Sequence, residues 1–487
     1  MSVLKKTYRL LTLATGAILL SALSACNMVV AGEEEELQEP VANYINLTLF
    51  VSSGEASTDT RSPLGGEDGD SREAGYMREN KVSGITIILY KGSGLNDATA
   101  KVDFVQYFEV TEANLEGRDP QGTTYNYEAS SSYMSEARYT TGDQLISNDA
   151  LDFNATYHVL LVANQDVSSV CPKGTPISSI LDIPFNNIYS VADADKAKPD
   201  QYQQFVMTSE RDATIDFSSM SPVKKTSGTP GVVYRVLQPL LIERMSARID
   251  YYTSGSEYDS SKGGYKYNVG TGGDVFVITK VTPFNLYNQE EYLFKRVQDA
   301  WPATTTTYLG DETLTNYVVD PYTSGKDNSH TFAYLSPIAE NISTDYTLSM
   351  DNVSENQKFQ INGKDNIIIA YPKENTLMPT SHLKKYATGI AFEGNYYAGG
   401  SGTPEKRVYY HYLRHQGELA TGSYHAKQWA ELSDTETGSS SVPMNYGIVR
   451  NNIYRVSISG ITETGLDIHI KVKKWDTFEH EVIYMKK

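Results

Sequence analysis

The stretch that decides the fold is Tyr44-Ile45-Asn46-Leu47-Thr48-Leu49-Phe50-Val51. Ile45, Leu47, Leu49 and Val51 fall on one face of an extended chain, and the residues between them fall on the other. Strict alternation with a period of two residues is the signal of a β-strand that buries one face. The sequence therefore predicts a first strand over residues 44–51.

Similar patterns recur from this stretch to the end of the chain. Residues 157–163 are nearly all apolar, which predicts a central strand that is buried on both faces. Residues 243–249 predict a short helical turn that runs into a strand, and we place a domain boundary near residue 240. The other predicted strands cover residues 82–90, 104–110, 204–208, 232–236, 239–242, 247–252, 274–281, 366–370, 407–415, 452–461, 466–473 and 479–485.

The composition agrees with a chain built from strands and turns. There are 36 tyrosines among the 487 residues, and hydrophobic residues make up 40%. Tyr, Thr, Val and Ile favour strands, whereas the many Gly, Asn, Asp and Ser residues favour the turns between them. The length is typical of two or three domains, and the predicted fold class is mainly β.

The N-terminus is typical of an exported bacterial lipoprotein. Lys5, Lys6 and Arg9 precede an apolar run over residues 10–20, and Leu23-Ser24-Ala25-Cys26 then forms a lipobox. The apolar run is too short for a stable membrane span. Two or more acyl chains on the cysteine would hold the protein on a bilayer. The alternative is an ordinary cleaved signal followed by a chance cysteine.

Charge and cysteine usage narrow the class of protein further. The net charge of −18 disfavours nucleic acid as a partner, because binding to phosphate needs clustered Lys and Arg. Cys171 is the only cysteine besides Cys26, so lipidation of Cys26 leaves no internal disulfide. Cys171 is predicted to be a small core or loop residue rather than a nucleophile.

No motif in the chain predicts catalysis, a cofactor or a metal. Asp68, Asp70 and Glu73 do not have the spacing of an EF-hand, so an acidic linker is the better interpretation. His411 and His415 lie in a strand pattern, where residues four apart are about 13 Å apart, so they are predicted to be strand surface histidines. Since the sequence contains no Gly-x-Ser-x-Gly, His-Glu-x-x-His or phosphate loop, we predict that the protein is not an enzyme.

The order of these features resembles a known family. A lipobox, an amphipathic strand, a polar loop with an arginine, an acidic Gly-rich stretch and a further strand follow one another over residues 23–90. This arrangement is similar to that of the type V fimbrial subunits, the FimA- and Mfa-type fimbrillins, and is nearest to the Mfa-like branch. Residues 253–400 contain no matching segment. The segments that match are residues 65–70 with 79–82, 157–164, 205–209, 243–249, 449–456 and 470–475.

The resemblance implies two tandem β-sandwich domains of the transthyretin-like type after a lipoprotein signal peptide. It divides the chain into a signal peptide (1–25), a propeptide with the first strand that is removed (26–61), an N-terminal β-sandwich domain (62–240) and a C-terminal β-sandwich domain with the donor strands (241–487).

The resemblance also implies assembly by donor-strand exchange. An Arg-specific, trypsin-like protease cuts the loop after the first strand, that strand leaves, and a C-terminal strand of another copy fills the apolar groove. The side chains that leave are Ile45, Leu47, Leu49 and Val51. The side chains expected to replace them are Leu466, Ile468, Ile470 and Val472, with Val482 and Tyr484.

Arg61 is the predicted cleavage site, with Ser62 as the new N-terminus. It lies ten residues after Val51 in a stretch of Ser, Thr, Asp and Glu that a protease can reach. Arg72 and Arg78 are alternatives, and an uncut, solvated Arg61 also remains possible.

The implied setting is the cell outer membrane, the cell surface and a fimbrium that supports adhesion and biofilm formation. The expected partners are other copies of the chain placed head to tail, accessory anchor and tip subunits, the protease, and the outer membrane through the lipid.

Two other classes of protein remain open from the sequence. A surface-exposed glycan-binding outer-membrane lipoprotein shares the lipobox and the tyrosines. It needs aromatic platforms for sugar rings, and Trp301, Trp429 and Trp475 are far apart in sequence. An enzyme such as a secreted hydrolase has only the chain length in its favour. Within the fimbrial interpretation, the strand-rich C-terminus favours a stalk subunit over an anchor or a tip.

Overall fold

The computed structural model shows a chain that is mainly β, as the sequence predicts. The described residues belong to one compact unit, Ala42–Lys487. Over these residues, no helix is long and apolar enough to cross a membrane. The described residues are 42–51, 75–110, 115–118, 124–126, 133–134, 136–146, 151–191, 197–225, 227–299, 309, 316–326, 334–335, 344–414, 424–425, 432–438, 444–462 and 465–474.

The first half of the described chain contains seventeen strands and two short helices. The helices are α1 (Met77–Asn80) and α2 (Ile177–Leu181). The strands are β1 (Ala42–Val51), β2 (Gly75–Tyr76), β3 (Gly84–Tyr90), β4 (Val102–Glu109), β5 (Leu115–Arg118), β6 (Thr124–Asn126), β7 (Tyr133–Met134), β8 (Glu136–Thr140), β9 (Gln144–Ile146), β10 (Thr156–Ala163), β11 (Pro184–Phe185), β12 (Ser190–Val191), β13 (Tyr202–Gln203), β14 (Met207–Ser209), β15 (Ala213–Asp216), β16 (Val223–Lys225) and β17 (Gly231–Arg244).

The second half of the described chain contains a further seventeen strands and the helix α3 (Leu383–Tyr386). They are β18 (Arg248–Tyr252), β19 (Glu257–Asp259), β20 (Gly264–Val269), β21 (Asp274–Phe284), β22 (Leu286–Tyr287), β23 (Glu291–Tyr292), β24 (Arg296–Gln298), β25 (Tyr317–Val319), β26 (Tyr334–Leu335), β27 (Leu348–Ser349), β28 (Lys358–Ile361), β29 (Lys364–Ala370), β30 (Gly389–Tyr397), β31 (Glu405–Tyr412), β32 (Tyr424–His425), β33 (Asn452–Ile461) and β34 (Leu466–Lys474). Single 3₁₀ turns cover Pro199–Gln201, Phe217–Ser219, Thr323–Gly325, Thr344–Tyr346, Met350–Asn352, Glu355–Gln357 and Ala398–Gly400.

Twelve strands of the first half form one sheet over the described residues. The strand order is β4-β3-β10-β14-β17-β1-β8-β5-β6, with β9, β15 and β16 paired beside this path. β10 is buried on both faces, since Leu161 packs in one hydrophobic cluster and Leu160 in another. The prediction of a central strand over residues 157–163 is therefore confirmed. Cys171 is fully buried in the same cluster as Leu160, so of the predicted core or loop position it takes the core one, and burial raises the pKa of its thiol to about 11.

The second half forms two sheets of six strands that share one core. One sheet has the order β28-β29-β18-β33-β34-β32, and the other has the order β19-β20-β21-β30-β31 with β27 beside β21. Ile249, Tyr454 and Ile468 from the first of these sheets pack in one cluster with Phe276 and Phe392 from the second. Two sheets that bury their inner faces against each other make a sandwich. β33 coincides with its predicted bounds, whereas the predicted strand over 479–485 lies outside the described residues.

The change from one sheet system to the other occurs after β17. β17 is one strand of 14 residues, so the predicted helical turn over 243–249 is wrong. The two strands predicted at 232–236 and 239–242 are joined, with an irregular register between Val236 and Leu240. Pro239 lies at this irregularity. Its lack of an N–H donor therefore costs the sheet no ladder hydrogen bond.

Buried ion pairs join the segments at this change of sheet. Arg248 lies 3.1 Å from Glu79 and 2.9 Å from Asp250, and Arg455 lies 3.3 Å from the same aspartate. The side chain of Arg244 donates to the backbone oxygen of Glu79 at 2.9 Å. A buried charge is tolerated only when it is paired and hydrogen-bonded, so these contacts fix how α1, β17, β18 and β33 meet. Three of the segments that carry the family resemblance thus converge in one buried cluster.

Candidate functional site

The first strand occupies a seat inside the large sheet rather than a place at its edge. β1 runs parallel to β17 from Ala42 opposite Gly231 to Val51 opposite Ile242. Its other edge pairs with β9 and then with β8, both antiparallel. Removal of β1 would therefore leave unpaired backbone groups along both of its neighbours. We call the space between β17 and the pair β8 and β9 the β1 seat.

The core face of β1 fills the β1 seat with aliphatic side chains. Ile45, Leu47 and Leu49 are 0%, 1% and 0% exposed, and all three pack in the main cluster of the sheet. Burial of an aliphatic side chain of this size stabilises a fold by about 1.5–3 kcal/mol. Val51 belongs to the strand, but its side chain lies outside what the structure describes.

A threonine completes the ladder where β8 and β9 leave a gap. The N–H of Leu47 donates to Oγ1 of Thr141 at 2.9 Å, and the N–H of Thr141 donates to the oxygen of Leu47 at 3.0 Å. Thr141 is fully buried. Because both bonds go to the backbone of β1, any strand in this register would receive them, whatever its side chains.

The outer face of β1 is held by polar contacts that depend on its sequence. Nδ2 of Asn46 donates to Oδ1 of Asp143 at 3.0 Å, and the Lys225 ammonium lies 3.0 Å from the same carboxylate. Burial alone would raise the pKa of Asp143, but the hydrogen bonds from Lys225 and Asn46 outweigh it and lower that pKa. The same ammonium lies 4.8 Å from the ring centre of Tyr44, whose hydroxyl donates to the oxygen of Thr229 at 3.2 Å.

A glycine opens one end of the β1 seat. A Cβ at Gly231 would stand 2.6 Å from the Tyr44 ring and would also collide with the oxygen of Ala42. Real Cβ atoms do not come this close, so only glycine lets the two parallel strands approach here. Thr141, Asp143 and Gly231 were not predicted from the sequence. The sequence signals for these residues are a glycine at the start of a strand and a Thr-Thr-Gly-Asp turn. Both signals are common in loops, so they do not single out a site.

The C-terminal strand β34 lies in the chain's own sandwich. It forms an antiparallel hairpin with β33, from Ile461 opposite Leu466 to Asn452 opposite Lys474. Leu466, Ile468 and Ile470 are 3%, 1% and 0% exposed and pack in the core of the sandwich. The side chain of Val472 lies outside what the structure describes, and Val482 and Tyr484 lie outside the described residues.

Some predicted processing residues cannot be placed in the structure. Cys26, Arg61, Ser62 and Arg72 lie outside the described residues. Arg78, the other alternative for cleavage, lies in α1 and is 5% exposed. Its guanidinium stacks 4.2 Å from the ring centre of Tyr76. A protease that must grip an extended, accessible arginine would not reach Arg78 in the folded chain.

The two histidines that the sequence singled out differ in whether the structure describes them. His411 lies in strand β31, as the pattern indicates, but it is fully buried, so the prediction of a surface position is wrong. His415 lies outside the described residues. Across the part of the chain that the structure describes, His, Cys, Asp and Glu form no group of three or more that could hold a metal ion.

The comparisons with known proteins lead to proteins of the cell surface. No family model and no curated protein matches the sequence. Among solved structures, the chain is similar to fimbrial subunits and to proteins named for cell adhesion, which is the kind of protein that its sequence resembles.

These solved structures match most of the length of this chain but share little of its sequence. The fimbrilin FimA of Porphyromonas gingivalis is 11% identical with a TM-score of 0.35, and it covers 90% of this chain and 99% of its own. The tip fimbrial protein Mfa3 of the same species is 9% identical with a TM-score of 0.38, and covers 89% and 100%. A protein of Parabacteroides distasonis named for a proposed role in cell adhesion is 12% identical with a TM-score of 0.39, and covers 90% and 98%. Since these TM-scores lie below 0.5, we argue the function from this chain's own residues.

Proposed function

We propose that this protein is a structural subunit of a cell-surface fimbria that polymerises by donor-strand exchange. The observation that supports the proposal most strongly is the β1 seat. A strand at the N-terminal end of the described chain fills an internal position of a sheet, between neighbours that are remote from it in sequence. When such a strand leaves, the sheet is open at a place where another strand fits.

Proteolysis supplies the reason for β1 to leave. The segment 52–74 connects β1 to β2 along the chain, and it contains Arg61. After a cut at Arg61, the described contacts that hold the fragment with β1 are its ladder, its three described core side chains and the polar contacts of Tyr44 and Asn46. In the proposal, Cys26 holds the precursor to the outer membrane by its lipid until this cut, which frees the body of the subunit from the anchored fragment.

The incoming strand receives the same backbone contacts that β1 had. β17 offers a ladder to a parallel strand, and Thr141 offers one donor and one acceptor at the middle of the seat. The pockets of Ile45, Leu47 and Leu49 select apolar side chains at every second position. A contact between the N-terminal seat of one copy and the C-terminal end of the next does not close, so it extends into a filament.

The residues that follow β34 are the better donor in this proposal. If β34 itself were donated, Leu466, Ile468 and Ile470 would leave the core of the sandwich. That loss would expose a second groove in the donor copy and would offset the gain in the acceptor. Within the predicted donor set, Val482 and Tyr484 lie beyond Lys474 and can be supplied without dismantling β34.

The proposed biological setting follows from a filament on a lipoprotein precursor. The subunit would act with accessory anchor and tip subunits and with an Arg-specific protease, and the fimbria would support adhesion and biofilm formation. No step of this assembly requires a cofactor or a catalytic residue of this chain.

The test is to follow processing and polymerisation together. The lipidated precursor is treated with a trypsin-like protease, and its intact mass, its N-terminal sequence and its denaturant-resistant ladder are recorded over time. We expect a new N-terminus at Ser62 and a ladder that appears only after cleavage. Arg61→Ala should block both, and Arg78→Ala serves as the matched control because the Arg78 side chain is buried.

Two results would overturn the proposal. One is a protein that stays full length from Cys26 and monomeric, which would fit an anchor or the glycan-binding lipoprotein instead. The other is a ladder that forms equally well with β1 still attached, because the β1 seat would then play no part in polymerisation.

A further inference from the structure

A cavity lies where the first sheet system meets the second, away from the β1 seat. Its volume is about 260 Å³. One side is built from residues 186–189 and β13, and the other from the ends of β22 and β29 and the loops that follow them. Pockets for drug-sized ligands span roughly 300–1,000 Å³, so this cavity is suited to a small ligand such as one sugar ring.

Five of the thirteen residues that line the cavity are tyrosines. Tyr189 and Tyr202 have ring centres 4.8 Å apart, and Tyr202 and Tyr371 have ring centres 5.4 Å apart. Tyr287 and Tyr346 line the cavity from the second half of the chain. Rings that pack against each other in tilted arrangements are held firmly, so the wall that they form is rigid and can receive a ligand at little entropic cost.

The rim of the cavity carries carboxamides and a hydroxyl. Asn186 and Asn187 are exposed, and Asn288 is half-buried on the opposite side. Among the described residues, neither the side chain of Asn187 nor the hydroxyl of Tyr189 has a hydrogen-bond partner. An amide offers donors and an acceptor together, and a phenol offers one of each, so the rim suits a ligand with several hydroxyl groups.

Lys373 bridges the two sides of the rim without making it a site for anions. Its ammonium donates to the oxygen of Gln289 at 3.0 Å and to Oδ1 of Asn186. Glu290 and Glu291, which follow Gln289 in the sequence, act on this ammonium electrostatically. The lysine therefore ties two loops together, and its ammonium is engaged by Asn186 and Gln289 rather than presented to a negatively charged ligand.

We infer that this cavity is a binding site for one ring of a neutral saccharide. The C–H face of a pyranose packs on aromatic rings, and its hydroxyl groups lie at the ring edge, where the asparagine amides and the tyrosine hydroxyl stand. Tyrosines and asparagines line this site, whereas the sequence offered only three scattered tryptophans as platforms for a sugar ring. The site goes beyond the proposed polymerisation and does not depend on it, because none of its lining residues belongs to the β1 seat.

The test uses the folded chain and a defined set of probes. Methyl glycosides of neutral hexoses and of N-acetylhexosamines are screened by saturation-transfer difference NMR, with a methyl sialoside as the charged comparator. We expect at least one neutral glycoside to bind in the millimolar range, and Tyr189→Ala to weaken it about tenfold. Asn187→Ala should weaken it about fivefold. Tyr258→Ala, at an exposed tyrosine outside the cavity, should leave binding unchanged.

Each other result would overturn the inference. Absence of binding by every neutral glycoside, or stronger binding of the sialoside, contradicts a neutral sugar site. Binding that survives both Tyr189→Ala and Asn187→Ala places the sugar elsewhere. If Tyr189→Ala fails to fold, Asn187→Ala still decides, because its side chain is exposed and makes no described contact that folding requires.

Discussion

β1 and β34 look alike in sequence but are tied into the fold in different ways. Both strands alternate, and both bury three aliphatic side chains in a core. β1 pairs with strands that lie far away along the chain, since Leu47 and Thr141 are 94 residues apart. β34 pairs with β33 through a turn in which the N–H of Thr462 donates to the oxygen of Gly465 at 2.9 Å.

If β1 is the strand that is exchanged, as proposed, burial alone does not identify it, because β34 is buried to the same degree. β1 can be separated from the body of the protein by one cut, because no tight turn connects it to either neighbour. β34 is half of a hairpin, and a hairpin partner stays at high local concentration because its loop is short. The predictions below test this contrast, from the largest expected effect to the smallest.

The largest effect should separate two truncations of the C-terminus. Deletion from Leu466 onward removes three buried side chains, each worth about 1.5–3 kcal/mol, so we expect misfolding or a fall in Tm of more than about 10 °C. Deletion of residues 475–487 should leave Tm nearly unchanged and should abolish the ladder. Differential scanning calorimetry and gel analysis of the ladder measure both quantities. A normal ladder from the chain that ends at Lys474 would exclude Val482 and Tyr484 as the donor.

The second effect compares one core substitution in each strand. Leu47→Ala and Ile468→Ala should each destabilise the uncut chain by about 2–5 kcal/mol in urea titrations, because each leaves a cavity in a packed core. After cleavage, Leu47→Ala should speed the release of the fragment 26–61 by about 30-fold or more. Ile468→Ala should not alter that release. Equal effects of the two substitutions on release would contradict the contrast between the strands.

The third effect concerns the narrow end of the β1 seat. Gly231→Val places a side chain against Tyr44 and Ala42, so the fragment should leave the cut chain about tenfold faster, as overpacking costs about 1–3 kcal/mol. Gly272→Val is the matched control, because a Cβ at Gly272 meets nothing within 4 Å. Release is followed by size-exclusion chromatography with mass detection. An unchanged rate in Gly231→Val would show that the parallel strands can separate there without loss.

The smallest effect is a pH dependence of the outer face of β1. The pKa of Asp143 is lowered in the folded chain, so its carboxylate stabilises the fold above the unfolded pKa of 3.8. This contribution is lost as the pH falls through the lowered value. We expect Asp143→Asn to release the fragment up to about fivefold faster at pH 6, since an ion pair that water still reaches contributes about 0–1 kcal/mol. The two proteins should converge near pH 2, and a difference that persists there would rule out the charge as the cause.

Strand positions could be predicted where one face of a strand is buried and the other is not. β1 and β33 match their predicted bounds within two residues, because alternation reports a half-buried strand directly. The segment 243–249 was mistaken for a helical turn because Glu243, Arg244 and Arg248 break the apolar pattern. In the fold these charges are buried, paired and part of strands. Glu243 pairs with Lys295, 52 residues away, and Arg244 and Arg248 contact Glu79, 165 or more residues away, and one sequence cannot reveal such partners.

The sequence by itself determined that the chain is mainly β, that Tyr44 to Val51 forms a strand, and that residues 157–163 lie in a core. These features depend on alternation and apolar content, and both can be read from residues that are neighbours along the chain. Only the tertiary structure decided that β1 lies inside a sheet beside β17, that β34 belongs to its own sandwich, and that five tyrosines meet around one cavity. Such arrangements arise from pairing between segments far apart along the chain, and the physical forces that select them act only once the sheets pack together.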